Sequence, residues 1–353
     1  MPLPLWATAS GAAAGELLAL LERAALARVL VPTETGGRFA HALIREALYE
    51  GILPLRRREW HARVGAALAA QPDADPGAIA HHYQRAGDAR ALEWLIAAGE
   101  LAQRVYAWDT ATAHYEAALA LLGAGEGEVG RRILLLRRLA QASFTSAPDR
   151  GVDLLEEATR LAAGLGDDGL AAVLRCELGM VRGGSVREGA VRRSTRELAA
   201  GVATLAALPA EVRRRLVGDA QVGGGADGDF YRALLVLRLG ATGSFAAALT
   251  QGEPLAADWA AGVGASDVTR GHAHSGLAAA YAAFGRPGEA RAAAAASYDA
   301  YAAAGHQLQA IFTALRDLVW RCLPYAADDR AAREDLEGRL ERARARLAEP
   351  PPL

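Results

Sequence analysis

The chain has 353 residues, 52% hydrophobic but only 6% aromatic, and a formal net charge of −2. That charge gives no global attraction to nucleic acid or membrane, and apolar mass carried by Ala, Leu and Val suits close helix packing better than a β-rich core. The length exceeds one ordinary globular core but fits a repeat array, and all 39 basic residues are arginine, which removes the lysine that a phosphate-binding loop or a Schiff-base enzyme needs.

The first fifteen residues, MPLPLWATASGAAAG, carry no charged leader segment, so a secretory signal is not expected. GELLALLERAALA then reads as a short helix. ARVLVPTETGGRFAH reads as strand, Gly-Gly turn, strand. From Phe39, the residues Leu43, Ile44, Leu48 and Ile52 recur at three- and four-residue steps and predict one apolar helix face. Gly51 and Pro54 end that helix. A second helix starts near Leu55, with Trp60, Val64 and Leu68 as its stripe and Ala67 beside them. QPDADPG, with two prolines, is the first expected module boundary.

The next stretch, AIAHHYQRAGDARALEWLIAAGELAQRVYAWDTATAHYEAALALL, predicts consecutive helices with turns at Gly87-Asp88 and near Trp108-Asp109. Small residues sit where helices would cross. A tetratricopeptide repeat is a roughly 34-residue helix-turn-helix with small crossing positions. Ile79, Ala80, Tyr83 and Gly87 match the large, small, aromatic and turn-Gly positions of a first helix. Gly99 belongs to the next first helix, and Ala111, Tyr115 and Ala118 to its partner. The cleanest copy has Leu277, Ala278, Tyr281, Gly285 and Ala290 on the repeat's spacing, with Ala294 where a large aromatic is usual. A similar copy precedes it, with Gly243 and Ala248. Between these, four helical runs keep the period but lose the signature residues. The last helix, from Asp328, is highly charged, as a capping helix with one wet face should be.

The hairpin, HALIREALYEGILPLRRREWHARVGAAL, AHHYQRAGD and the helical repeats together resemble the STAND-class signalling ATPases of bacteria, including LuxR-type regulators similar to the maltose activator. The resemblance implies a mostly α fold: a right-handed α-solenoid of tetratricopeptide-like helix pairs behind a small partial winged-helix module. It places the winged-helix part at residues 1–70, the repeat domain at 71–348 and a disordered tail at 349–353. The winged helix is expected to lack its first helix. An ATPase module is expected to be encoded separately or to be missing. The function implied is that of a non-catalytic, cytoplasmic sensor or scaffold that takes a protein, peptide or small-molecule effector on a concave face. First helices of each pair would line that face, which nominates Tyr83, Arg104, Arg238, His274 and Tyr281 as contacts. The alternative is a transcriptional regulator that binds DNA through its winged helix.

Other residues invite sharper readings. His81 and His82 are adjacent and point about 100° apart on a helix. His272 and His274 are two apart, also poor ligand spacing, so no metal site is expected. His41 opens a helix without a nucleophile in view. GGSVREGA at Gly183 and GGGADGD at Gly223 are Gly-rich but lack a lysine, and the second reads as a linker. Only Cys176 and Cys322 could pair, so no disulfide framework is expected. Arg56 to Arg58, Arg192, Arg193, Arg196 and Arg213 to Arg215 are interspersed with acids and read as solvated faces, so nucleic acid is not an expected partner. No window has the roughly 18 uninterrupted apolar residues of a membrane span. No cofactor and no catalytic residue is expected.

Overall fold

Residues on either side of Glu34-Thr35 pair as an antiparallel hairpin, and Gly-containing or capped boundaries separate helix after helix along the remaining chain. The computed structural model describes residues 2–123, 126–144, 146–218, 229–317 and 329–348. The Gly-rich run 223–228, Cys322 and the expected tail 349–353 lie outside the described residues. Among the described residues are eighteen α-helices and one two-stranded antiparallel sheet, so the fold is mostly α. The chain divides into two compact units, Met1–Ala142 and Ser143–Leu353.

The first unit begins with a helix, α1 (Leu3–Ser10), in a stretch where none was expected. Pro4 sits in its first turn, where a missing N–H costs nothing. Leu5 and Ala9 are buried against Val64, Ala67 and Leu68. Next come α2 (Ala14–Leu26), β1 (Leu30–Thr33) and β2 (Gly36–Phe39). The turn is Glu34-Thr35 and not the Gly-Gly pair. Gly37 lies inside β2 opposite Pro32, where its bare Cα faces the Leu21 side chain. Helix α3 (Ala42–Glu50) has the expected apolar period, yet it buries none of its residues, and Leu43 is 78% exposed.

Helix α4 (Pro54–Ala69) packs on α5 (Pro76–Ala86), so the 71–75 turn joins two packed helices within one unit. Asp75 caps α5 by accepting the Gly77 N–H at 3.0 Å. Gly87 ends α5 in the left-handed region (φ 71°), the conformation the Gly-Asp turn requires. Helices α6 (Ala91–Arg104) and α7 (Trp108–Leu121) pack closely on each other. A Cβ at Gly99 would lie 2.4 Å from the Tyr115 ring, so only glycine lets that ring seat. The α6–α7 turn centres on Tyr106 (φ 59°), and Trp108 already belongs to α7. Helix α8 (Val129–Ala142) packs on α7.

The second unit runs through α9 (Pro148–Gly164), α10 (Asp168–Arg182), α11 (Ala190–Ala207), α12 (Ala210–Gly218), α13 (Phe230–Ala241), α14 (Phe245–Ala260), α15 (Asp267–Ala283), α16 (Pro287–Ala303), α17 (Gln307–Asp317) and a final charged helix, α18 (Arg330–Ala348). Each of α9–α10–α11 and α13–α14–α15–α16–α17–α18 packs on its successor, and α13 also packs on α15. The core gathers Leu198, Leu234, Leu235, Leu255 and Leu277, each worth about 2 kcal/mol when fully buried. Backbones approach closely where α13 crosses α15. A Cβ at Gly276 would lie 2.2 Å from the Val236 carbonyl oxygen, and one at Gly240 2.7 Å from that of Gly276. Ala278, on the repeat spacing, is only half-buried; the close approach is made by Gly276, and Ala273 and Ala280 are the fully buried alanines of the same helix. Ala294 is buried, and the aromatic bulk it lacks comes from Tyr298 and Tyr301 on the same helix.

Candidate functional site

Four helices of the second unit bring polar side chains into one cluster. α15 supplies His272, and its neighbour Gly271 makes room for a tyrosine from α16. A Cβ at Gly271 would lie 2.8 Å from the Tyr301 ring, and Ser297 Oγ donates to the Gly271 carbonyl at 2.8 Å. Tyr301 is thereby locked with its hydroxyl 2.9 Å from His272 Nδ1. The imidazole lies between the rings of Phe230 (5.6 Å) and Tyr301 (5.6 Å). Burial and then the Arg238 charge pull its pKa down to about 4, against the opposing effect of a hydrogen bond to the Val268 backbone. His272 is therefore neutral at pH 7. Burial pushes the Tyr301 phenol well above its ordinary range.

Arg238 enters from the last turn of α13. Its guanidinium lies over the bare Cα of Gly183, where a Cβ would be 2.0 Å from Nη2. The side chain is half-buried, and its Nε is shielded with no hydrogen-bond partner among the described residues. Burial lowers its pKa, and the Arg316 charge lowers it further. Arg316, on α17, is itself lowered by burial, with Tyr301 acting the other way. An Nη of Arg316 lies 3.5 Å from Thr313 Oγ1. The cluster thus gathers two guanidinium groups, a neutral imidazole and a phenol.

Of the five nominated residues, only Arg238 belongs to this cluster. His274 lies two residues from His272 and so points to a different face, edge-on to Trp259 at 5.9 Å. Tyr281 carries the Arg286 guanidinium 4.4 Å over its ring. Tyr83 is 2% exposed, packed with Ile79 and Ala91, its ring 3.0 Å from where a Gly65 Cβ would stand and its face covered by Arg90 at 4.4 Å. Its ring therefore serves interhelical packing. Arg104 is exposed at the end of α6. Sequence reading missed Tyr301 and Arg316 as site residues and weighed His272 only as a metal ligand. The available signal was Arg316 itself, a cation on a helix that also carries Ile311, Ala314 and Leu315.

The first unit holds a second polar cluster. Tyr49 OH lies 3.0 Å from His61 Nε2, and His61 Nδ1 lies 3.0 Å from His82 Nδ1. The His81 ring stands edge-on to His82 at 5.5 Å. Burial and the neighbouring His61 and His81 lower His82 to about 4; burial, then His81 and Arg85, also lower His61. Among the described residues, no group of three His, Cys, Asp or Glu side chains is placed to hold a metal ion. No described helix is long and apolar enough to cross a membrane. Beside α1 and α2 lies an open apolar groove of about 680 Å³, lined by Leu3, Leu18, Leu21, Leu26 and Pro32. No protein-family model matches the chain, and a comparison with curated proteins found no match.

Proposed function

We propose that this chain is a non-catalytic sensor or scaffold of a bacterial signalling or transcriptional regulator. Its second unit would act as a tetratricopeptide-like array, with α13–α14 and α15–α16 as successive helix pairs. An effector would be taken on the side of α13, α15 and α17. The observation that carries this reading is the cluster around Arg238: polar groups from separate helices meet there, with the Tyr301 hydroxyl 2.9 Å from His272 Nδ1 and the Arg238 charge acting on the same imidazole. Such a constellation can orient the polar group of an effector. The hairpin followed by α3 and α4 keeps its reading as part of a winged helix, and an ATPase partner or missing ATPase module is part of the same proposal.

The test is a thermal-shift panel of small effectors and peptides on the full chain, followed by native-state hydrogen exchange. At least one compound class should raise the midpoint and protect amides of α13, α15 and α17. The alternative makes a different prediction: duplex DNA would bind with steep salt dependence and protect α3 and α4. Protection confined to the first unit would overturn the sensor reading.

A further inference from the structure

Helix α3 is lightly anchored. It buries none of its residues and packs on the short strand β2. Polar side chains link it to α4. Tyr49 OH lies 3.0 Å from His61 Nε2, the Arg57 guanidinium stands 5.0 Å over the Tyr49 ring, and Arg57 pairs with Glu50 at 3.3 Å. That ion pair is open to solvent on its Glu50 side and adds little. The Tyr49 link continues inward, because His61 Nδ1 lies 3.0 Å from His82 Nδ1 on α5.

This last contact fixes a proton count. Two ring nitrogens 3.0 Å apart are bonded when one carries a hydrogen and the other a lone pair. With both rings neutral, one therefore holds its proton on Nδ1 and the other on Nε2. One added proton leaves the bond possible, since the gap still contains a single hydrogen. A second sets N–H against N–H, and the contact must open.

We propose that the Tyr49–His61–His82 chain is an acid-sensitive latch, which holds α3 against α4 and α5 and releases it once both imidazoles are charged. The groups that face the pair are Tyr49 from α3, and His81 and Arg85 from α5. Arg57 of α4 lies over the Tyr49 ring. Helix α1, packed on α4, has no titratable side chain, and no group of α6 or β2 acts on either imidazole. No carboxylate is among the charges acting on the pair, so none favours the doubly charged state. Burial and these neighbours hold both rings below the ordinary histidine range, so the latch is closed at pH 7 and opens toward pH 4. The inference concerns the first unit and is independent of the effector surface on the second.

The experiment uses the full chain. Long-range proton–nitrogen NMR spectra of the histidine rings at pH 7 should show opposite tautomers for His61 and His82. Amide exchange is then followed from pH 7 down to pH 4 and corrected for its intrinsic pH dependence. Amides of α3 should lose protection by about tenfold per pH unit for each proton that opening takes up, while those of α6 and α7 keep theirs. His82→Gln removes the second charge, so its α3 protection should not depend on pH. Tyr49→Phe should leave α3 weakly protected at every pH while His82 still titrates.

Nε2–H tautomers on both rings would remove the shared proton and overturn the proposal; this reading needs no variant and decides the matter where His82→Gln fails to fold. So would α3 protection that ignores pH, or that falls as steeply in His82→Gln as in wild type. Equal loss of protection in α3, α6 and α7 would be general acid unfolding and would likewise end the inference.

Discussion

At the scale of single residues, burial sets protonation and so sets pH dependence. His82 and His272 each fall from 6.5 to about 4. The folded chain therefore binds these protons less readily than the unfolded chain, and unfolding takes up protons as the pH drops. The stabilisation is fully present above about 6.5 and is lost as pH falls toward 4. Thermal midpoints measured between these limits should decline, and His82→Gln should flatten its share of the slope.

At the scale of elements, helix pairs are held at distances that only small residues permit. Gly276→Ala should cost about 3 kcal/mol, at the upper end for overpacking, because the added carbon meets the Val236 backbone and not a side chain that can swing away. Gly99→Ala should cost less, about 1–2 kcal/mol, since the Tyr115 ring can tilt at the expense of its 3.0 Å bond to Gln103. Gly183→Ala should be nearly neutral for stability, because only the far end of a flexible side chain stands in the way. Equal costs for all three would contradict the distinction between backbone and side-chain obstruction. The period of α3 was legible from Leu43, Ile44 and Leu48, but its burial was not. Periodicity reports which residues share a face, and says nothing of whether another element covers it.

At the scale of the whole molecule, the division into Met1–Ala142 and Ser143–Leu353 gives a further expectation. Amide exchange in Gly276→Ala should accelerate through α13, α15 and α16 and leave α4 to α7 near wild-type rates, because local instability spreads through contiguous packing. Uniform acceleration would mean that the two units unfold as one. The 71–75 turn lies inside the first unit, and α4 and α5 pack on either side of it.

By itself, the sequence determined the mostly helical class, most helix positions and the small residues at helix crossings. These follow from local spacing: an apolar period, a cap, a glycine in a left-handed turn. The short helix α1 escaped because its eight residues carry too weak a period, and packing of Leu5 and Ala9 against α4 stabilises it. Only the tertiary structure decided that His272, and not His274, faces Arg238, and that Tyr301 and Arg316 join them from two further helices. No spacing along one helix encodes a meeting of four, since it depends on how each helix is rotated about its axis, and side-chain packing across the crossings sets that rotation.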